Sequence, residues 1–557
     1  MRLIECVPNF SEGQNQDFLS GIKSIIDLNK NVHLLDIDPG KDTNRTVVTF
    51  VGNPEDVIDV AYNLIKYASE KIDMREHYGE HPRMGATDVC PLIPIEGVSM
   101  KDCINYSKNL AKKVSSNLNI PVYLYEKSSS TKDRENLSNI RKGEYESMKT
   151  KMFKKDWIPD YGFKKFNEKS GCTAIGAREF LIAYNINLNT KDKKIASDIA
   201  LDIREAGRLK RDKKGVVLRD ENGIGLKKPG KLKFCKAVGW YIDEYNQAQV
   251  SINLTNFKKT TLYRTFEEVR AQARRRGIRV TGSEIVGLVP KKAIIDTGNY
   301  YLEKQDASCG IPDQDVVDIA IKSLGLNDIS DFIPESKIIE YSIKNTSTLT
   351  NKTVKNFIDE ISRDSFAPGG GSVSALSGSL GAALTAMVSN LTVNNKKYAD
   401  YKSFHKKSSI ISQKHKKQLI ECIDDDTVAY NAIISARRLS KKTKDESIFR
   451  DKQILKATIQ ATDIPFKILQ ISSDAISEAH KVSSRGNKNS ISDIGVASNM
   501  LHAAAKGAFY NILINLTDLP SKYHSHYLEK SDYYLKQIDD CHHKISLLVN
   551  DILSENE

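Results

Sequence analysis

The stretch Gly79-Glu80-His81-Pro82-Arg83-Met84-Gly85-Ala86-Thr87-Asp88 sets a histidine, two carboxylates and an arginine between turn-forming residues. Pro82 disfavours the helical region for His81, and the glycines at 79 and 85 allow close backbone approach on either side. An imidazole beside a glutamate can take or give a proton near neutral pH, and a guanidinium can grip a carboxylate with two parallel hydrogen bonds. The stretch reads as a loop for acid/base chemistry on an anionic substrate, against the plainer reading of a solvated surface turn.

Other stretches carry chemistry of the same kind. Asp36-Ile37-Asp38-Pro39-Gly40 places carboxylates at a strand end, although an aspartate before Pro-Gly is often only a turn former. Gly162, Gly171 and Gly176 precede a strand; they either let the backbone approach a flat ligand or make a glycine-rich connection between subdomains. Phe366-Ala367-Pro368-Gly369-Gly370-Gly371-Ser372-Val373 opens a helix whose free N–H groups face an anion or, as plainly, form a tight packing turn. No GK[ST] follows, so it is not a P-loop. Leu419, Ile423, Asp426, Tyr430 and Ile433 recur at helical spacing and share one face, which sets Asp426 in an apolar stripe while Asp424 and Asp425 point elsewhere. Desolvation there favours the protonated carboxyl and suits it to proton transfer; a paired structural aspartate is the alternative.

The runs EHPRMGATDVCPLIP (80–94), RLIECVPNFSEG (2–13) and TNRTVVTFVG (43–52) resemble the glutamate formiminotransferase family. APGGGSV (367–373), IDDDTVAY (423–430), NSISDIGVA (489–497) and NILINL (511–516) resemble formimidoyltetrahydrofolate cyclodeaminase, so nearly the whole chain is similar to the bifunctional family that joins the two. The resemblance implies that His81 is the catalytic acid/base, with Asp38 facing the substrates beside it. It assigns the pterin to the loop Gly162, Phe163, Lys164, Lys165, Phe166, Asn167, Glu168, Lys169, Ser170 and Gly171, with Arg178 just beyond. Asp426 becomes the catalytic aspartate of the second site, with Asp493 and Asn499 as further lining candidates. The implied substrates are N-formimino-L-glutamate and tetrahydrofolate, polyglutamylated and used as a co-substrate, with no metal. The implied reactions belong to histidine degradation: formimino transfer with release of glutamate, then cyclisation to 5,10-methenyltetrahydrofolate with release of ammonia. The alternative for the helical half is an assembly module or a methenyltetrahydrofolate cyclohydrolase.

Bulk properties bound these readings. At 557 residues the chain exceeds a single core. A mean hydropathy of -0.43, with 40% hydrophobic and 28% charged residues, describes a globular protein, and no uninterrupted apolar run reaches membrane-spanning length. The opening MRLIECVPNF lacks the apolar run of a signal peptide, and the eight cysteines form no CxxC pair, so reduced thiols and a cytoplasmic location are expected. The net charge of +12 raises nucleic acid as a partner. Its densest segment, 204–236, holds twelve Lys/Arg against four Asp/Glu but little aromatic interleaving and no nucleic-acid motif. The expected partners are therefore the small-molecule substrates and further copies of the chain in a homo-oligomer, with neither nucleic acid nor membrane.

The elements that must position these residues follow from periodicity. Strands are expected at 3–8, 33–38, 46–51, 89–95 and 122–125, with helices at 57–72 and 101–118 and another carrying Phe18, Ile22, Ile25 and Ile26. A polar stretch, 127–155, follows. A second α/β unit takes strands at 180–187, 237–242, 248–254 and 285–288 with helices at 193–205 and 265–275, interrupted by the basic segment 204–236 as an extended loop. Beyond Pro334 strand alternation gives way to long helices. The predicted architecture is multidomain: two α/β subdomains of split βαβ, ferredoxin-like type at 1–178 and 179–328, a linker at 329–350, and an all-α domain at 351–557.

Overall fold

The computed structural model describes residues 2–40, 44–79, 82–162, 165–343 and 348–554. His81, Phe163 and Lys164 lie outside the described residues.

The first α/β region is one mixed sheet. Its elements in chain order are β1 (Leu3–Cys6), β2 (Asn9–Phe10), α1 (Gln16–Asp27), β3 (Val32–Gly40), β4 (Arg45–Gly52), α2 (Pro54–Lys71), β5 (Thr87–Glu96), α3 (Met100–Leu118), β6 (Val122–Glu126), α4 (Leu137–Arg141), α5 (Glu144–Lys151) and β7 (Thr173–Ala177). β1 and β2 run end to end around Val7-Pro8, and both pair antiparallel with β4 on one side and β5 on the other. β3 extends the sheet beyond β4, while β7 and β6 continue it in parallel beyond β5. Side chains alternate between faces along a strand, so the two faces differ in kind. Ile4, Cys6, Phe50 and Leu92 are buried with Phe18, Ile22, Leu64 and Leu110 of α1 to α3. Glu5, Asp36, Asp38 and Thr49 fall on the other face. Local signals set the helix starts: Asn15 accepts from the Asp17 and Phe18 N–H groups, and Ser99 with Asp102 makes a capping box. The polar stretch 127–155 is more than a connection, because Ile140 of α4, Met148 of α5 and Met152 just after it are buried against Met84, Tyr123 and Tyr125.

The next elements are β8 (Ile182–Leu188), α6 (Lys193–Ile203), β9 (Arg208–Leu209), β10 (Lys227–Lys228), β11 (Cys235–Ile242), β12 (Gln247–Leu254), α7 (Leu262–Arg275) and β13 (Val280–Val286). Four of the strands form an antiparallel sheet in the order β11-β12-β8-β13, and α6 and α7 pack on it. β13 begins before the expected 285–288, and its polar first half is why apolar alternation does not mark it. There Ser283 Oγ donates to Leu324 O at 2.7 Å and accepts from the Tyr184 hydroxyl at 3.0 Å. The basic segment 204–236 is also not a plain loop. β9 pairs with β10, and two turns of the same build stand between them. In each turn an aspartate Oδ1 accepts from two backbone N–H groups, those of Lys214 and Val216 at Asp212 and those of Asn222 and Ile224 at Asp220. Arg211 and Arg219 close the turns on Gly215 O and Gly223 O, each at 2.7 Å.

The remaining elements are helices: α8 (Lys291–Lys304), α9 (Asp313–Leu324), α10 (Pro334–Lys337), α11 (Ile339–Ser342), α12 (Val354–Ile361), α13 (Gly370–Val393), α14 (Lys402–Arg437), α15 (Lys444–Ser483), α16 (Ile491–Leu516) and α17 (His524–Ser554). The chain divides into two compact units, Met1–Ala293 with Leu324–Ile343, and Ile294–Ser323 with Lys344–Glu557. In the helical unit α13 packs against α14, α15 and α16, and α17 against α15 and α16. α13 is long and apolar enough to cross a membrane, yet most of it is buried inside this bundle. Its small residues permit that: a Cβ on Gly381 would stand 2.6 Å from Leu501 Cγ and 2.8 Å from Ala497 O.

Candidate active sites

Around the His81 loop the neighbouring residues are firmly tied. His77 Nε2 donates to Asn44 O at 3.0 Å, and its Nδ1 accepts from Arg83 Nε at 3.3 Å. Burial first, and then the Arg83 charge, pushes the His77 imidazole below its ordinary pKa, so it is held neutral. Arg83 is buried and gives its guanidinium to Glu144 Oε2 at 2.9 Å and Glu146 Oε1 at 2.7 Å. The expectation that Arg83 grips a substrate carboxylate is therefore not met; its acceptors are the chain's own, on α5.

Asp38 is exposed on β3, opposite Val47 and two residues from Asp36 on the same face of the sheet. Asp36, Glu5 and Arg178 line a cleft of about 560 Å³ that reaches Phe180 and Leu288. Glu5 is the unexpected member. Its carboxyl is buried, and desolvation raises its pKa to about 7, with Arg178 opposing the shift and Glu340 adding to it.

The Gly162–Gly171 loop is shaped by contacts with the chain itself. Gly162 and Gly171 hold positive φ of 103° and 66°. A Cβ on Gly171 would sit 2.3 Å from Met84 O, and one on Gly176 2.3 Å from Tyr125 O. The glycines thus allow two backbone segments to cross, with Cys172 N–H donating to Met84 O and Ala86 N–H to Ser170 O, each at 2.9 Å. Phe166 is buried against Tyr145, Glu168 pairs with Lys149, Lys169 Nζ donates to Glu70 O, and Ser170 N–H donates to Asn167 Oδ1. Lys165 is exposed, and residues 165–168 with Asn119 border a cavity of about 740 Å³.

The second site assembles at the start of α13. A Cβ on Gly371 would stand 2.1 Å from Asp426 Oδ1, so the missing side chain admits the carboxyl to the helix N-terminus. Ser372 Oγ donates to Ile423 O at 2.9 Å and, more weakly, to Asp426 Oδ2 at 3.2 Å, and the Ser372 backbone N–H faces the same carboxyl. Burial nevertheless dominates and raises the Asp426 pKa above the ordinary carboxylate value. The stripe is as expected, with Leu419, Ile423 and Ile433 buried. Asp424 accepts from Leu349 N and Thr350 Oγ1, and Asp425 is exposed near Lys467. Asp426 and Tyr430 open onto a cavity of about 360 Å³ whose far wall carries Asn511 and Asn515. Asp493 and Asn499 are not part of it. Asp493 lies in the first turn of α16, and at 1.5 Å per residue it is about 27 Å along the axis from Asn511.

An α/β unit with protonatable groups on the open face of its sheet, and a helical unit with a desolvated aspartate in a glycine-built cavity, give the chain two candidate sites for acid/base chemistry. The chain belongs to the formiminotransferase-cyclodeaminase family. Residues 3–178 match the formiminotransferase domain, N-terminal subdomain, residues 183–344 the formiminotransferase domain, and residues 353–532 formiminotransferase-cyclodeaminase. A formimidoyltransferase-cyclodeaminase of Mus musculus is 38% identical over 99% of this chain and 96% of its own length. A glutamate formimidoyltransferase of Streptococcus pyogenes serotype M1 is 44% identical over 55% of this chain and 95% of its own. A methenyltetrahydrofolate cyclohydrolase of Methylorubrum extorquens is 35% identical over 31% of this chain and 83% of its own.

Proposed function

We propose that the chain performs two successive steps on one folate. In the first, N5 of tetrahydrofolate attacks the formimino carbon of N-formimino-L-glutamate, the bond from that carbon to the glutamate nitrogen breaks, and glutamate leaves. His81 with Asp38 removes the N5 proton and supplies one to the departing amine. The loop 162–171 and Arg178 hold the folate, which carries a polyglutamate tail. In the second step N10 attacks the carbon of the N-protonated formimino group, the ring closes, and the former imino nitrogen departs as ammonia, leaving the 5,10-methenyl cation. Asp426 carries the N10 proton to the departing nitrogen. The order of strands in the four-stranded sheet supports a split βαβ, ferredoxin-like subdomain. A homo-oligomer in the cytoplasm completes the reading.

The observation that carries it is Asp426, an ionisable group pressed by burial toward its protonated form beside an open cavity. A second reading, hydrolysis of the methenyl bridge by the helical half, is favoured by the likeness of 31% of the chain to the cyclohydrolase. Purified protein given formiminoglutamate and tetrahydrofolate, with glutamate, ammonia and methenyl product followed separately, tests both. His81→Ala should lose glutamate release yet still release ammonia from supplied 5-formiminotetrahydrofolate, and Asp426→Asn should do the reverse. Methenyl hydrolysis without ammonia release would favour the second reading.

A further inference from the structure

Across the second cavity from Asp426, Asn511 and Asn515 occupy successive turns of α16. Each has its amide nitrogen tied to a backbone carbonyl: Asn511 Nδ2 donates to Gly507 O at 2.8 Å, and Asn515 Nδ2 to Ala461 O at 2.9 Å. A carbonyl can only accept, so the nitrogen of each amide is fixed toward it and the oxygen is left as the end still able to accept. No hydrogen bond from the described residues reaches either Oδ1. The Ala461 carbonyl is free for this purpose because Pro465, four residues on inside α15, has no N–H to give it. A proline is costly in a helix interior, and at this position it frees the carbonyl that orients Asn515. Asn511 lies against the other side of the same glycine turn, its Nδ2 3.3 Å from where a Gly370 Cβ would be, next to the Gly371 that admits Asp426.

We infer that Asn511 and Asn515 are the acceptor pair that holds the formimino NH₂ group before it leaves as ammonia, with Pro465 a positioning residue for Asn515. The inference rests on the cyclodeaminase reading of this site and deepens it. A protonated formimino nitrogen presents N–H donors to two amide oxygens, whereas a formyl oxygen in the same place would meet them acceptor to acceptor. The pair would therefore select 5-formiminotetrahydrofolate over 5-formyltetrahydrofolate, which differs only in O for NH.

The test is ammonia release by the full chain from supplied 5-formiminotetrahydrofolate, with 5-formyltetrahydrofolate as competitor. The readout is the ratio of Ki for the formyl compound to KM for the formimino compound, because a general loss of structure would weaken both together. The wild-type ratio should be roughly ten to a hundred, the scale of a hydrogen bond to a charged group. Asn511→Ala and Asn515→Ala should each bring it down about tenfold. Pro465→Ala, which restores the helical hydrogen bond to Ala461 and keeps the fold, should lower it by releasing Asn515. A wild-type ratio near one, or an unchanged ratio in all three variants, overturns the assignment. A wild-type protein that releases no ammonia overturns the cyclodeaminase reading itself, and the assignment with it.

Discussion

Two carboxyls, one in each site, are held away from water, and the consequence is measurable. Glu5 has a folded pKa of about 7, above its ordinary value, so the folded state binds the proton more tightly than the unfolded chain. Its favourable state is fully present below the unfolded pKa and is lost as pH rises through about 7. Glu5→Gln should leave stability unchanged near pH 4 and raise it at pH 8 by on the order of 3 kcal/mol in urea unfolding; equal stability of the two proteins at pH 8 would show that Glu5 is not desolvated. Asp426→Asn keeps the side-chain volume and should cut ammonia release by roughly two orders of magnitude or more, with Asp425→Asn, exposed on another face, as the unaffected control. Asp426 was legible in the sequence because its apolar neighbours share its own helix. Glu5 was not, because in Leu3-Ile4-Glu5-Cys6 it looks like the solvated member of a strand, and its neighbour Arg178 and covering residue Glu340 come from far along the chain. Arg83 was misread for the same reason, its acceptors Glu144 and Glu146 being remote in sequence. Asn511 and Asn515 lie within NILINL (511–516), but the direction of the Asn515 amide depends on Pro465 and Ala461 of another helix.

At the scale of elements, the helix start at Gly370 was legible and its purpose was left open between anion binding and packing. The structure gives it a third use, room for a carboxyl. Gly371→Ala is compatible with a helix by propensity, but the added Cβ would stand 2.1 Å from Asp426 Oδ1 and must displace it. Ammonia release should fall by about a hundredfold, the scale of a lost acid/base group, while circular dichroism and formimino transfer stay as in the wild type. Gly369→Ala is the comparison, since a Cβ there meets only Phe366 O at 3.9 Å. Equal activity in both variants would remove the glycine turn from the site. Strands whose apolar residues alternate were found close to their positions, whereas the start of β13 was missed where Gly282 and Ser283 serve neighbours rather than a core. The two turns within 204–236 are written in the sequence, since Arg-Asp and a glycine recur eight residues apart, but no apolar periodicity accompanies the repeat.

At the scale of the molecule, the chain does not divide at a single point. Residues Ile294–Ser323 cluster with the helices, although Leu324–Ile343 returns to the α/β unit. The connection from α8 to α9 is held by Asn390 Nδ2 on Gly310 O at 2.6 Å, by Ser308 and Ser409 hydroxyls 2.9 Å apart, and by Lys406 on Asp306 at 2.5 Å. A Cβ on Gly310 would stand 2.1 Å from Ser409 Oγ, which shows how closely this connection seats on α14. On the other side, Val289 N–H donates to Lys337 O and Ile339 N–H to Val289 O, so a cut at Pro334 would strip buried Ile338 and Ile339 from the α/β unit. A fragment ending at Ile343 should therefore keep glutamate release better than one ending at Pro334. For the helical half, a fragment of 294–557 should melt higher than one of 344–557 by at least about 5 °C, since one kcal/mol moves the midpoint of a domain this size by about 2–4 °C and several buried contacts are restored. Melting followed by far-ultraviolet circular dichroism decides it. Identical midpoints would mean that 294–323 adds nothing to the helical core.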